Sequence, residues 1–225
     1  MRIIFCIPGS QFSSTFLKSW TLTLKTLGKR GLDIVLSNAQ SNNIYWVRNM
    51  CLGGDNLKGK YQLPWQGSVD YDYIMWVDSD MQFHPDQVET LLEKAERNDI
   101  DILSGLYRMV GGTYCAVIKS DDDYFKKHGY YEFISNETYN ALDKNQLIEA
   151  SYVGFGFVLI KKGVFEKLGY PWFMPIWKKI KLDNGIVIKD FTGEDTGFCY
   201  NAKAAGYTVW VDPSVVVGHE KSEIL

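Results

Sequence analysis

The chain has 225 residues, 46% of them hydrophobic, enough to bury the core of one domain. Its formal net charge is -3 and no block of basic residues appears, which excludes duplex nucleic acid as a partner, because phosphate neutralisation dominates that binding. The opening apolar run at residues 3–7 is too short for a signal-peptide core or a bilayer span. The four scattered cysteines, Cys6, Cys51, Cys115 and Cys199, make no metal-ligand pair, so a soluble, reduced, cytoplasmic protein is the expectation.

Residues 3–7 are continuously apolar and predict a strand buried on both faces. Ser13 or Ser14 can cap a helix carrying Leu17, Trp20, Leu24 and Leu27 on one side, ended by Gly28 or Gly31. Residues 33–37 read as a second strand and 45–52 as a helix closed by Gly53-Gly54. A third strand at 73–77 runs straight into Asp78-Ser79-Asp80. Pro85 opens a helix with Val88, Leu91, Leu92 and Ala95 on its apolar face, and 101–106 returns as a fourth strand. This alternation predicts an α/β fold with a mostly parallel central sheet flanked by helices.

The second half is mixed. Gly111-Gly112 reads as a turn between strand-like segments, and the polar, tyrosine-rich stretch 120–145 as a partly mobile surface excursion. Residues 150–160 are strand-like but interrupted by Gly154 and Gly156. Asp183-Asn184-Gly185 between 178–182 and 186–190 signals a hairpin. Phe198, Ala202 and Ala205 share a helix face that stops at Gly206, and strands at 207–211 and 214–217 lead to Gly218-His219.

Asp78 and Asp80 stand at the carboxyl end of a buried strand, where open α/β sheets bind ligands, and alternation puts both side chains on one side. Two carboxylates there repel unless a cation joins them, and oxygen ligands without sulfur suit Mg²⁺ or Mn²⁺. The bland alternative is a helix cap or a solvated turn. Glu194 and Asp195, between Gly193 and Gly197, open a helix; they either answer its dipole or supply a general base for a sugar hydroxyl approaching the glycines. Arg48 is a lone cation that either pairs a phosphate or base or sits on the surface. Gly154-Phe155-Gly156 has the wrong spacing for a phosphate-cradling loop; its glycines are expected to let a sugar pack against backbone. Trp172, Phe173 and Trp177 are candidate stacking platforms for an acceptor, with core packing expected of at least one.

Taken in order, Ile3 to Pro8, Val47-Arg48-Asn49, Trp76-Val77-Asp78-Ser79-Asp80, Gly154-Phe155-Gly156, Gly193-Glu194-Asp195 and Val217-Gly218-His219 resemble the GT-A glycosyltransferases, especially the inverting family 2-like group. Compact members of this type also occur in phages and large DNA viruses. The resemblance implies one GT-A domain over 1–225, with a nucleotide-sugar-binding half over 1–110 and an acceptor-binding half over 111–225. It implies transfer from a nucleotide sugar, UDP-sugar favoured, to a glycan or glycoprotein hydroxyl with Mn²⁺ or Mg²⁺. Asp78 would contact the ribose and share the metal with Asp80 and His219. Pro8, Arg48 and Ser79 would line the donor, and Asp195, or less favourably Glu194, would be the base. One departure is the second strand: Leu36 leads into Ser37-Asn38 where many members carry an acid that reads the base. A sugar nucleotidyltransferase ranks lower, because the loop Pro8-Gly9-Ser10-Gln11-Phe12 has no basic residue. A binding module without turnover is the non-enzyme alternative.

Overall fold

The apolar opening run forms β1 (Arg2–Pro8), and a computed structural model describes the chain over residues 1–221. From Ile3 to Ile7 the strand is buried, because it pairs in parallel on both edges, with β2 (Asp33–Ala39) and β3 (Tyr73–Val77). Between β1 and β2, α1 (Ser14–Lys29) begins at Ser13, whose hydroxyl accepts from the Phe16 amide. The buried side of α1 is Phe16, Ser19, Thr23 and Leu27, with Trp20 packed beside it. Leu17 and Leu24, expected to face inward, are exposed. Choosing the apolar positions by spacing alone rotated the predicted face, since small polar residues sit where the helix meets the sheet.

The helix α2 (Ile44–Cys51) is capped by Asn43. After β3 the chain turns through Asp78-Ser79-Asp80 into the two-residue β4 (Met81–Gln82) and then α3 (Pro85–Arg97), whose predicted face is buried throughout. The fourth expected strand is β5 (Ile102–Tyr107).

The expected parallel core strands flanked by helices are present, and the mixed second half enters between them. β3 and β5 do not pair; β9 (Phe157–Lys161), from the second half, lies between them and is antiparallel to both. The eight-stranded sheet is therefore mixed, with parallel pairs on both sides of an antiparallel strand. Ahead of β9 lie β6 (Ala116–Val117), β7 (Ile148–Ala150) and β8 (Tyr152–Val153). The 120–145 stretch holds two short helices, α4 (Asp122–His128) and α5 (Asn136–Ala141), anchored by buried Phe125, Tyr131 and Ile134. After the short α6 (Val164–Lys167), the predicted hairpin is β10 (Trp177–Lys181) against β11 (Val187–Phe191), outside the main sheet. It runs into α7 (Glu194–Ala204).

The last two expected strands are one, β12 (Val209–His219). It pairs in parallel with β5 and shifts register between Val211 and Val216, where Asp212-Pro213 lies. Proline lacks the amide a ladder needs, so the irregularity is a bulge and not a strand end. Buried Asp212 is neutralised by Lys94 Nζ at 2.7 Å. Beyond the bulge, β12 pairs with β4, Gly218 opposite Gln82 and His219 opposite Met81. That short pairing carries His219 to the Asp78–Asp80 turn.

Candidate functional site

Strand geometry ends at Val77, so alternation no longer governs Asp78 and Asp80, and their carboxylates meet different partners instead of converging. Asp78 meets Arg48: Nη2 lies 3.0 Å from Oδ1 and 3.2 Å from Oδ2. Arg48 Nε also donates to Glu194 Oε1 at 3.0 Å. Only 2% of Arg48 is exposed, and its guanidinium lies 5.4 Å from the centroids of both the Trp76 and Phe155 rings. It is thus not a surface residue; one α2 cation binds the strand-end acid to the first turn of α7. Burial pushes the Asp78 carboxyl up while Arg48 opposes the shift. Arg48 Nη1 is buried without an acceptor among the described residues.

Asp80 is 40% exposed and faces a rim. His219 Nε2 lies 3.1 Å from its Oδ2, and Lys221 Nζ 2.7 Å from the same oxygen. His219 Nδ1 lies 2.7 Å from the Arg108 carbonyl oxygen, which only accepts, so Nδ1 carries a proton. Nε2 is therefore the ring nitrogen left to face Asp80. A metal-ligating histidine is commonly oriented by this type of bond from its other ring nitrogen.

No group of three or more His, Cys, Asp or Glu side chains is arranged to hold a metal ion among the described residues. The expected trio of Asp78, Asp80 and His219 is not assembled, because Asp78 is turned to Arg48. Asp80 and His219 stay adjacent, one carboxylate and one imidazole. An ion such as Mg²⁺ commonly takes one or two protein carboxylates and completes its shell with substrate phosphates and water.

Glu194 and Asp195 form the first turn of α7, after Gly193. Asp195 Oδ1 accepts from the Thr196 amide at 2.6 Å. Burial, followed by the neighbouring Glu194 charge, pushes the Asp195 carboxyl up to about 6. The Tyr45 hydroxyl donates to the Thr192 carbonyl at 2.5 Å, a second tie between α2 and this turn. Gly197 is not an opening for an acceptor: a Cβ there would lie 2.3 Å from the Met174 carbonyl oxygen, so this glycine lets α7 pack.

Three acceptor-side expectations are corrected. A Cβ on Gly154 would sit 2.2 Å from the Tyr107 hydroxyl, and one on Gly156 2.7 Å from the Tyr107 ring. The glycines therefore admit Tyr107, not a sugar. Phe155 is buried among Trp76, Phe173 and Phe198. Trp172 is also buried, with its indole N–H donated to the Phe165 carbonyl, which leaves no ring face to stack on. Trp177, by contrast, is 72% exposed on β10.

On the donor side, Pro8 ends β1 opposite Ala39, and Asn38 ties the β1 end by donating to the Ile7 and Gly9 carbonyls. Gly9 has φ +129° and its missing Cβ would meet Ser79 Oγ at 2.9 Å, so Pro8-Gly9 and Ser79 form one wall. Reading the sequence missed Lys221 as a partner of Asp80 and Tyr107 as the group that fills the glycine motif. The Gly-x-Gly spacing was a signal for close packing, but it did not say by what.

The sheet order gives a GT-A-type fold, a mixed sheet with parallel core strands flanked by helices. The family model described as Glycosyl transferase family 2 matches residues 68–169, the stretch from β3 to beyond β9 that contains Asp78 and Asp80. The crystal structure of A197 from STIV superposes with a TM-score of 0.56 at 19% identity, covering 99% of this chain and 87% of that one. GalNAc-T7 in its crystal structure with UDP, GalNAc and Mn²⁺ gives a TM-score of 0.61 at 10% identity, covering 99% of this chain and 43% of that one. No curated protein sequence matches the chain. No helix among the described residues is long and apolar enough to cross a membrane.

Proposed function

We propose that the chain moves a sugar from a nucleotide-sugar donor, UDP-sugar favoured, to a hydroxyl of a glycan or glycoprotein, with inversion. The observation that carries the reading is the Arg48 bridge. It ties the strand-end acid Asp78 to the α7 turn bearing Asp195, and the reading puts the donor on the Asp78 side and the acceptor on the Asp195 side.

In this reading Asp195 accepts the proton of the acceptor hydroxyl. As that proton leaves, the hydroxyl oxygen bonds the anomeric carbon and the bond from that carbon to the diphosphate oxygen breaks. A carboxyl near 6 is ionised at neutral pH yet basic enough to take a proton, which is where general base catalysis works best. Glu194, held by Arg48, keeps the turn in place. Asp80 and His219 would hold Mn²⁺ or Mg²⁺, which would neutralise charge gathering on the departing diphosphate. Asp78, Ser79 and Pro8 would orient the nucleoside, while Arg48 acts through Asp78.

The test is turnover of nucleotide sugars with Mn²⁺ and with excess EDTA, followed by proton NMR of the product. Metal-dependent transfer with an inverted anomeric centre is expected. Full turnover in EDTA would remove the metal from the reading, and a retained configuration would remove Asp195 as base.

A further inference from the structure

The β10–β11 hairpin has two unlike faces. On the inner face Lys178 Nζ donates to the hydroxyls of Tyr131 at 3.0 Å and Tyr200 at 2.7 Å, and Ile180 and Ile188 pack against the core. On the outer face the register puts Trp177 opposite Phe191 and Lys179 opposite Lys189, with Lys181 next along the strand. Trp177 and Phe191 pair edge to face, with ring centroids 5.6 Å apart and both rings largely exposed. Lys179, Lys181 and Lys189 form no ion pair or side-chain hydrogen bond among the described residues.

Two like charges directly opposite on one face destabilise a strand pair. Here a third lysine, Lys181, stands two residues beyond Lys179 and diagonal to Lys189, on a chain whose overall charge is negative. An anion lying across the hairpin would remove that repulsion. The hairpin also leads directly to the proposed base. The Thr192 amide donates to Ile176 O and the Ile176 amide to Thr192 Oγ1, both at 3.0 Å, which extends the pairing to within one residue of Gly193-Glu194-Asp195. The aromatic pair is nearest that turn, and the lysine pair follows two residues, or about 7 Å, farther out.

We infer that the acceptor is an anionic glycan, a chain whose sugars carry carboxylate, sulfate or phosphate groups, laid along this outer face. A sugar near Asp195 rests on Trp177 and Phe191, and the negative groups of more distant sugars meet Lys179, Lys189 and Lys181. An anionic membrane fits less well, because the tip that would enter it is Asp183-Asn184, acidic and polar. The inference rests on the glycosyltransferase reading and names the substrate class of that site.

Calorimetric titration of the full chain tests it with four probes: an oligogalacturonate, a heparin-derived oligosaccharide, a phosphomannan-derived oligosaccharide and a neutral malto-oligosaccharide. At least one anionic probe should bind about tenfold or more tighter than the neutral one, in line with charged hydrogen bonds, and should weaken as salt rises. The double variant Lys179→Gln, Lys189→Gln should lose that preference while its melting temperature holds or rises, since the lysine repulsion is gone. Trp177→Ala should weaken anionic and neutral probes alike. The inference fails if no anionic probe binds, if neutral and anionic probes bind equally, or if the double variant keeps the preference. It also fails if the lysines prove to govern binding to phosphatidylglycerol vesicles and to no oligosaccharide. A thermal-shift screen of the unaltered chain with nucleotide sugars and Mn²⁺ separates the two levels. A donor shift without anion preference leaves the glycosyltransferase reading standing and sinks this one; no donor shift undermines the underlying reading instead.

Discussion

Asp78 and Asp80 are two residues apart and do opposite things. Asp78 faces the interior, where a buried arginine already answers it and Glu194 shares that arginine. Asp80 faces a rim, where a histidine and an exposed lysine meet one oxygen. The inner acid is tied into an ion-pair network; the outer one stands on an open rim beside a histidine and a lysine. A two-acid motif therefore need not be one binding unit. Half of it can hold the scaffold together so that the other half stays available.

The largest way to break this contrast is to remove the shared cation. Arg48→Met leaves the partly buried Asp78 and Glu194 carboxylates without their cation, a loss of up to about 3–5 kcal/mol. In a chain of this size that lowers the melting temperature by roughly 6–20 °C. Arg48→Lys should recover little, because a single ammonium cannot serve two carboxylates in a fixed fork. Asp80→Asn, at a half-open rim, should change stability by no more than about 1 kcal/mol. Thermal unfolding of the three variants checks this, and equal losses for Arg48→Met and Asp80→Asn would erase the distinction.

Asp195 sharpens it next. Asp195→Asn should keep nucleotide-sugar affinity and lose turnover by about two to four orders of magnitude. For the unaltered enzyme, turnover should fall on the acid side of about pH 6, where the carboxyl takes up a proton. The stability effect has the opposite sense. A carboxyl raised from 3.8 to about 6 favours the folded state fully below 3.8 and loses that contribution as pH rises through 6. At neutral pH the Asn variant should therefore melt no lower than the parent. A pH–rate profile with no acid limb near 6, together with an active Asp195→Asn, would show that another group is the base.

How much of this was readable beforehand follows from the range of the interactions. β1, β3, α3 and the hairpin were legible because burial on both faces, helical periodicity and Asp-Asn-Gly turn chemistry are local signals. The insertion of β9 between β3 and β5 was not, since it depends on pairing residues far apart in the chain, such as Val77 with Phe157 and Ser104 with Val158. The Arg48 bridge was hidden for the same reason: Arg48, Asp78 and Glu194 come from three distant segments. The Gly154 and Gly156 reading failed because sequence shows that a close approach is required but not whether a ligand or Tyr107 makes it. His219 was placed beside Asp80 only by the short β4–β12 pairing. The acidic first turn at Glu194 and Asp195 was correctly located by its glycine-flanked helix start.

At the rim, His219→Ala should raise the Mn²⁺ concentration needed for half-maximal turnover by about tenfold or more, as loss of metal-site groups does. The histidine also donates to the Arg108 carbonyl and lies edge-on to Tyr107 at 5.0 Å, so a small melting loss of about 1 kcal/mol should accompany it. An unchanged metal titration with a lower melting temperature would make His219 a packing residue alone.

The smallest effect is expected at Lys221, and its sign is what matters. Its ammonium lies 2.7 Å from the Asp80 oxygen that also faces His219, so without a metal it supplies the positive charge this carboxylate lacks. A metal arriving there must displace it. Exposed ion pairs of this sort contribute about 0.2–1 kcal/mol, which converts to a competition worth no more than about fivefold in affinity. Lys221→Ala should thus lower the Mn²⁺ requirement by up to about fivefold, the reverse of His219→Ala, and the difference should shrink at high salt as the pair is screened. Melting temperature should hardly move, because both partners are substantially exposed. If Lys221→Ala instead raised the Mn²⁺ requirement, the lysine would be helping to hold the donor phosphates, and the rim would be a composite anion site and not a position that a cation and a lysine contest.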